Sequence, residues 1–358
     1  FDESDFPMKK YQVLVSIIIP TANAKVYLDK CLASILISDY QNYEIIVVDN
    51  GSTDGTAGFI KQKYPRVILV ELDKNYGPAK ARNEGVKIAN GKYLGFLDSD
   101  TEVDNKWISK VLETFQKNDS VGAIQCKLLR MDKKSFDYAG EYLGNLGFLV
   151  PVAKHGEIDT GQYDFPNKIL AAKSAGMFIR KDVFEKVGGF DEDYFIFVEE
   201  TDLSWRCWLA GFEVIFCPGS IVYHHFSASK DIFDKNFNNY LVRFHGTKNY
   251  ITTLFKNLSF QNIIRILPVH ISLWFCLAGY LIIIRGNFKS GLNIIRGIFW
   301  NVFHFKNNII KRCQIQKKRV LSDEKIFQEF ALMKETNIFY YINSFTSAQK
   351  KLVTPENQ

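Results

Sequence analysis

No two of the six cysteines in this 358-residue sequence stand at CxxC spacing, and their positions follow no regular period. This absence argues against a zinc knuckle and against a disulfide framework, and it favours reduced, mostly buried thiols. A signal peptide is also missing, because the first residues are acidic and polar and the first apolar run is too short. We therefore expect a chain that works on the cytosolic side.

Acidic side chains are absent from Lys235 to Arg319, a segment that contains 14 lysines and arginines. The net charge of +6 therefore combines a basic C-terminal third with an acidic body. Such an asymmetry predicts an anionic partner for the basic third. Nucleic acid and a membrane surface are the two candidates.

The apolar residues of the same segment favour the membrane and argue against nucleic acid. The clean run "ISLWFCLAGYLIII" has about 14 residues, fewer than the roughly 20 that span hydrocarbon, and Arg265, Pro268 and His270 interrupt the sequence before it. A second apolar and aromatic run, "LNIIRGIFWNVFHF", follows, and basic residues flank both runs. We expect a membrane-associated helical hairpin that lies in or dips into an anionic surface. A helical subdomain that packs its own core is the alternative.

Strand and helix patterns alternate through the first hundred residues. Buried, β-rich runs occur at residues 12–20 and 43–50, and again in "RVILVEL" and "KYLGFLD". Helical patterns separate these runs, and the third helix begins near Pro78 and ends before Gly91. This alternation is typical of an α/β fold with a mostly parallel central sheet and helices on both faces.

The rest of the chain is less regular. A helix is expected from about Asp104 to Lys117, and "VGAIQCKLLR" is typical of a further strand. Residues 131–168 are rich in glycine and aromatics without a clear period, which predicts a functional loop rather than a packing element. The chain then divides into a tail (1–12), an α/β domain (13–230), a basic, apolar helical region (231–320) and a polar helix or tail (321–358).

Polar side chains gather where the predicted strands end, and parallel sheets bind ligands at that edge. They are Thr21 and Asn23 after the first strand, next to Pro20, then Asp49 and Asn50 after the second, Lys80 and Arg82 early in the third helix, and Asp98, Ser99 and Asp100 after the fourth strand. Extended geometry through Asp98 and Asp100 would place both carboxylates on one side of the chain. Two anions that close repel each other unless a cation lies between them. The edge therefore suits a metal ion together with a phosphate group.

Four motifs, in this order, resemble those of the family 2 glycosyltransferases. They are "SIIIPTANAKVYLDKCLASIL", "EIIVVDNGSTDGT", "NYGPAKARNEGVKIANGKYLGFLDSDTEV" and "GGFDEDYFIFVEETDLSWRCWLAGF". The resemblance covers about Val13 to Ser229. It implies the GT-A fold, a nucleotide-diphosphate sugar as donor, and inversion at the anomeric carbon of the transferred sugar. With the basic C-terminal segment, it indicates a membrane-associated type.

The resemblance also implies roles for single residues. Asp49 resembles the residue that recognises the base, Asp98 the first Asp of the DxD motif, and Asp100 its metal-binding second Asp. His224, in "IVYHHFSAS", is implied as a third metal ligand, and His225 is the weaker candidate. Mn²⁺ or Mg²⁺ suits such a site, because both prefer carboxylate and phosphate oxygens. The nucleotide sugar is expected to contact Pro20, Thr21, Asn23, Asp49, Asn50, Lys80, Arg82, Asp98 and Ser99.

An inverting transfer needs a base that takes the proton of the acceptor hydroxyl as this hydroxyl attacks in line. The family places that base in an ED-type motif, and the match here is "VEETDLSWR". Glu200 stands where Asp is usual, and Glu199 precedes it, so we expect Glu200 to be the base and Glu199 to share the role. Acids in a first helical turn also stabilise the helix dipole, which is the structural alternative. Asp202 lies four residues before Arg206, the spacing of a helical ion pair.

These features predict a metal-dependent enzyme at the cytoplasmic face of a membrane, which transfers a sugar to a hydroxyl of a lipid-linked glycan. Polyprenyl phosphate is the alternative acceptor. A nucleotidyltransferase should carry a glycine-rich loop after the first strand, where this sequence has "PTANAK". A non-catalytic glycan-binding protein would have no need of the acids and histidine at the predicted edge.

Overall fold

The computed structural model describes residues 13–225 and 241–337. The predicted tail at 1–12, the junction at 226–240 and the C-terminal residues 338–358 lie outside these ranges. Within them, the chain forms a ten-stranded mixed sheet, a three-stranded sheet and a group of C-terminal helices.

The first half of the large sheet has the predicted βαβ alternation. Its elements are β1 (Val15–Thr21), α1 (Lys25–Leu36), β2 (Tyr43–Asn50), α2 (Thr56–Lys63), β3 (Ile68–Leu72), α3 (Pro78–Ile88) and β4 (Tyr93–Phe96). The strands are parallel and lie in the order β4-β1-β2-β3. Ile18 packs into one core while Ile17 and Ile19 pack into another. This alternation is what a strand covered on both faces requires.

The second half of the domain makes the sheet mixed. Its elements are β5 (Thr101–Val103), α4 (Trp107–Lys117), β6 (Val121–Arg130), β7 (Phe136–Tyr138), β8 (Glu141–Gly144), β9 (Leu149–Pro151), β10 (Asn167–Lys168), β11 (Met177–Arg180), α5 (Lys181–Val187), α6 (Glu199–Leu209) and β12 (Glu213–His224). Strand β11 lies antiparallel between β4 and β6, and β12 runs parallel to β6. The short β5 pairs with the end of β12, which brings His224 opposite Thr101.

Residues 131–168 are not the loop without packing that the sequence predicted. Strand β7 extends the large sheet, and β8 and β9 form the small sheet together with β13 (Met333–Lys334). Phe136 and Tyr138 are buried in the two cores of the domain. Gly140 and Gly147 adopt positive φ between the short strands. These turns break the two-residue period, so no strand pattern is visible in the sequence.

The C-terminal helices are fused to the α/β domain. They are α7 (Gly246–Asn257), α8 (Phe260–Gly279), α9 (Phe288–Phe303) and α10 (Phe305–Lys317). Lys256 of α7 is buried, and its Nζ lies 2.5 Å from Asp191 Oδ2 and 3.0 Å from Asp202 Oδ1. Asp202 also pairs with Arg206 at 2.9 Å, as their spacing predicted. Helix α7 therefore contacts the domain through buried ion pairs.

Helix α8 is longer than its clean apolar run suggests. It continues without a break into a wider turn, Tyr280–Ile284, so the helical segment has 25 residues. Arg265, Pro268 and His270 interrupt the apolar run but not the helix, since Pro268 lies inside α8 and His270 is buried against Trp274. Among the described residues this is the one helix long and apolar enough to cross a membrane, and most of it is exposed. One helix of this kind is weak evidence for a membrane span.

Candidate active site

The strands β1 and β2 end side by side, with Thr21 in register with Asp49. Asp49 is buried, and its Oδ1 accepts a hydrogen bond from Ser52 N at 2.9 Å. Asn23 has φ of 53° and connects the two loops, because its Oδ1 accepts from Thr53 N at 2.7 Å. The sequence prediction that these loops share one edge is therefore correct in geometry.

Asn50, Pro20 and Thr21 are also predicted at this edge, and only Asn50 makes side-chain hydrogen bonds to the described residues there. Asn50 is buried, and it is bonded to Tyr76 N at 2.9 Å and to Asn75 Oδ1 at 3.0 Å, so it braces the loop before α3. Pro20 and Thr21 are the last two residues of β1 and are buried. Thr21 Oγ1 has no hydrogen-bond partner among the described residues.

Asp98, Ser99 and Asp100 form a turn rather than an extended strand end. Strand β4 stops at Phe96, and Thr101 closes the turn through a 2.7 Å hydrogen bond from its Oγ1 to Asp98 O. The expected extended backbone from Asp98 to Asp100 is therefore wrong. The two carboxylates nevertheless lie close together, as expected. One carboxylate oxygen of Asp98, one of Asp100 and a ring nitrogen of His224 lie within 4.8 Å of one another.

His224 reaches this cluster from the end of β12. Its Nε2 lies 3.5 Å from Asp100 Oδ1, and its Nδ1 donates to Asp137 Oδ2 at 2.8 Å. Burial alone would lower the pKa of His224, but the hydrogen bonds to Asp100 and Asp137 raise it to about 10. His225 points elsewhere, with its Nε2 3.4 Å from Glu102 Oε1.

Asp137 is a site residue that the sequence reasoning missed. It is buried, and burial would raise its pKa, but hydrogen bonds from His155 and His224 hold the pKa well below its usual range. With Asp137 on Nδ1, the Nε2 of His224 faces Asp100, and a metal ion bound there would take the place of the Nε2 proton. Only the pairing of β7 with β6 brings Asp137 here, and no sequence motif marks it.

Arg82 joins the candidate metal-binding edge to Glu199, the residue before the predicted base. It is buried, and its Nη2 and Nη1 lie 2.7 Å from Asp98 Oδ1 and 3.0 Å from Glu199 Oε1. Burial disfavours the charge of Arg82, but Asp98 and Glu199 raise the pKa of its guanidinium. Burial, followed by the neighbouring Glu200, raises the pKa of Glu199 well above its usual value.

The two adjacent glutamates have different environments. Glu199 begins α6, is buried and contacts Arg82. Glu200 is half-buried, and its Oε1 accepts a hydrogen bond from Ser174 Oγ at 2.9 Å. The other oxygen of Glu200 makes no hydrogen bond to the residues that the structure describes. Glu199 Oε2 also has no hydrogen-bond partner among the described residues, but it is buried. Glu200 is only half-buried, so its unbonded oxygen is the one that an acceptor hydroxyl can reach.

Lys80 and Ser99 lie at the rim of the site, and both are half-exposed. Lys80 is in the first turn of α3, with its Nζ 4.2 Å from the centre of the Tyr76 ring. No contact joins Lys80 to the carboxylates within the described part of the chain. Its place at a helix N-terminus suits an anionic group.

Two carboxylates and one imidazole are a donor set that suits Mn²⁺ or Mg²⁺. The three side chains come from the β4–β5 turn and the end of β12, and their ligand atoms already converge. Asp98 is held by Arg82, and Asp100 lies beside His224, so both carboxylates have fixed places in the cluster. The residues present therefore fit a divalent metal ion, and Asp98, Asp100 and His224 would hold it.

The fold is that of the GT-A glycosyltransferases. The mannosyltransferase PcManGT from Pyrobaculum calidifontis, solved in complex with GDP-Man and Mn²⁺, superposes with a TM-score of 0.51. The two chains are 15% identical, and the match covers 82% of this chain and 88% of the other. This similarity establishes the fold.

Residues 16–188 match the protein family described as Glycosyl transferase family 2. The O-antigen biosynthesis protein RfbC of Myxococcus xanthus is 30% identical over 229 residues, which are 60% of this chain but only 18% of RfbC. Glycosyltransferase AglE of Haloferax volcanii is 29% identical over 239 residues, 62% of this chain and 70% of AglE. Residues 16–188, just under half of the chain, therefore resemble a family 2 glycosyltransferase domain, and the described chain has the GT-A fold.

Proposed function

We propose that the protein is an inverting, metal-dependent glycosyltransferase that uses a nucleotide-diphosphate sugar. The observation that carries this proposal is the connection of Asp98 to Glu199 through Arg82, which sets the candidate metal ligands beside the candidate base. The family 2 domain and the structural similarity to a GDP-Man-binding mannosyltransferase support it.

A divalent ion held by Asp98, Asp100 and His224 would neutralise the charge that develops on the leaving diphosphate. The structures of PcManGT and of GalNAc-T7, which superposes with a TM-score of 0.50, both contain Mn²⁺ and support a metal of this kind. We propose Mn²⁺ or Mg²⁺ for this chain, because its ligand atoms suit either ion.

The site residues would have different roles in donor binding and in proton transfer. Asp49, buried at the end of β2, would hydrogen-bond the base of the nucleotide. Lys80 and Arg82 would offset the negative charge of the diphosphate. Glu200 would take the proton of the acceptor hydroxyl as the hydroxyl oxygen attacks the anomeric carbon. The bond from the anomeric carbon to the diphosphate oxygen would break on the opposite face of the sugar. Glu199 would orient Arg82 instead of sharing the role of base.

We propose that the acceptor is lipid-linked and that the enzyme works at the cytoplasmic face of a membrane. Helices α8 to α10 expose large apolar side chains, which we call the apolar surface: Phe260, Ile264, Ile283, Ile284, Phe288 and Phe303. Ile283 and Phe303 are 79% and 81% exposed, and a group of exposed apolar side chains is typical of an interaction site. Arg285, Lys289 and Arg296 lie exposed beside them, and an anionic bilayer would attract these cations.

A glycan hydroxyl and polyprenyl phosphate differ in their need for a base. A phosphate acceptor is already an anion, whereas a hydroxyl must lose its proton. The free oxygen of Glu200 favours the hydroxyl, and the names of relatives such as RfbC and poly-beta-1,6-N-acetyl-D-glucosamine synthase support a polysaccharide product. Transfer to polyprenyl phosphate that persists undiminished in Glu200→Gln would favour the alternative acceptor.

The experiment is a thermal-shift screen of nucleoside diphosphates with Mn²⁺. A hydrolysis assay follows with the nucleotide sugar whose nucleobase gives the largest shift. We expect one nucleotide to raise the melting temperature only with the metal present, and Asp100→Asn to abolish that rise. Asp104→Asn, a change four residues away outside the cluster, is the matched control. No nucleotide binding with Mn²⁺ and no turnover of any common donor would refute the proposal.

A further inference from the structure

The loop before α6 has an unusual backbone. Phe195, Phe197 and Val198 have φ of 63°, 69° and 68°, and we call residues 195–198 the base loop because Glu199 and Glu200 follow it directly. Residues with a Cβ, and β-branched residues above all, disfavour this conformation. A backbone of this kind persists only where surrounding groups hold it in place.

Helix α7 of the C-terminal region supplies these groups. Asn249 is fully buried, and its Nδ2 lies 3.1 Å, 2.8 Å and 2.7 Å from the carbonyl oxygens of Tyr194, Ile196 and Phe197. An amide nitrogen carries two hydrogens, so the two donate among three carbonyls. Lys248, the preceding residue, donates from its buried Nζ to the carbonyl oxygen of Asp193.

The opposite side of the base loop contacts α3. A Cβ added to Gly77, the residue before α3, would lie 2.5 Å from Phe195 O, so only glycine fits there. Further along α3, Arg82 binds Glu199 directly. The base loop therefore lies between α3, which carries donor-site residues, and α7.

We propose that Asn249 is a positioning residue for Glu200, an inference that rests on the proposed function. By holding the carbonyls of the base loop, Asn249 fixes the direction in which α6 begins. That direction decides where the carboxylate of Glu200 lies relative to Asp98. The C-terminal helical region is then a part of the catalytic apparatus, in addition to any role at a membrane.

The test compares Asn249→Ala with Asn257→Ala in the full chain. Asn257 is the matched control because it is the same residue type, on the same helix and equally buried, but its Nδ2 donates to Asp202 Oδ1 at 2.9 Å instead of to the base loop. For Asn249→Ala we expect kcat of donor turnover to fall at least tenfold, with the donor KM and Mn²⁺–nucleotide binding within twofold of wild type. We expect Asn257→Ala to lose thermal stability to a similar degree but to lose little kcat.

Hydrogen–deuterium exchange of residues 194–198, which excludes Asp202, supplies a readout independent of turnover. Asn249→Ala should accelerate exchange in this segment, and Asn257→Ala should not. If Asn249→Ala does not fold, Asn249→Ser keeps one hydroxyl donor and should give an intermediate kcat and intermediate exchange.

Equal losses of kcat in the two alanine variants, or a parallel loss of nucleotide binding in Asn249→Ala, would overturn the proposal. Unchanged exchange at 194–198 in Asn249→Ala would also overturn the proposal, whether or not the wild-type chain shows turnover. Absence of wild-type turnover alone would count against the proposed function, and accelerated exchange in Asn249→Ala would still support the role of Asn249 in holding the loop.

Discussion

Asp98 and Glu199 are bridged by a single guanidinium group, that of Arg82. The first carboxylate begins the turn after β4, and the second begins α6, so Arg82 sets the distance between the two halves of the site. Glu199 is 2% exposed and Arg82 is 3% exposed at their side chains, so water screens their pairing very little.

Arg82→Met should destabilise the protein by about 3 kcal/mol, because breaking a buried pair leaves Glu199 charged or forces it to take up a proton. Adding Glu199→Gln to this variant should recover part of the loss, since it removes the uncompensated charge. Urea unfolding of the single and double variants measures both values. A double variant less stable than Arg82→Met would contradict the pairing.

Asp137→Asn should weaken Mn²⁺ binding by about 10- to 100-fold, the usual cost of losing the partner of a ligating histidine. An asparagine can donate to Nδ1 of His224, which would leave the proton on Nε2, the nitrogen that faces Asp100. Calorimetric titration with Mn²⁺ measures the change. Asp132→Asn is the control, because Asp132 bonds to Ser135 in the same segment. Equal Mn²⁺ affinity in Asp137→Asn and Asp132→Asn would show that Asp137 does not support the metal site.

The apolar surface should bind liposomes that contain phosphatidylglycerol. Ile284→Glu combined with Phe288→Glu should reduce flotation at least tenfold, because each side chain would otherwise bury apolar area worth about 1.5–3 kcal/mol. Val26→Glu with Ile37→Glu is the matched control, since these α1 residues are as exposed, at 69% each, as Ile284. Undiminished flotation of the Ile284/Phe288 variant would refute the membrane role of this surface.

Asp191 should make the contact between the domain and the C-terminal helices sensitive to acid. Burial would raise its pKa, but Lys256 and Lys311 lower it below the ordinary value of 3.8. A carboxyl with a lowered folded-state pKa stabilises the fold above its unfolded pKa, and this contribution is lost as the pH falls below about 4. Melting temperatures from pH 7 to pH 3 should therefore fall less steeply in Asp191→Asn. Parallel curves for wild type and variant would contradict this assignment.

The sequence predicted those parts of the site that are local to a strand end. Asp49 lies at the end of β2, Asp98 and Asp100 follow β4, and His224 ends β12, so strand order alone brings them to one edge. The prediction of extended geometry at Asp98 failed because Thr101 closes a turn there. Side-chain hydrogen bonds of this kind compete with strand geometry and leave no periodic signal.

Residues that reach the site through tertiary pairing could not be predicted. Asp137 lies in a short strand hidden between glycine turns, and Asn249 lies in a helix that sequence patterning assigned to the membrane-associated region. The position of Asp137 depends on the pairing of β7 with β6, and that of Asn249 on the packing of α7 against α6. Neither relationship has a fixed spacing along the chain.

The most direct measurement of the central claim is the turnover of a nucleotide sugar by Glu200→Gln in the presence of Mn²⁺. A lost general base should lower kcat by about 10²- to 10⁴-fold. Binding of the Mn²⁺–nucleotide complex should stay within twofold of wild type, because Asp98, Asp100 and His224 are unchanged. A Glu200→Gln enzyme with undiminished transfer to a hydroxyl acceptor would contradict the account.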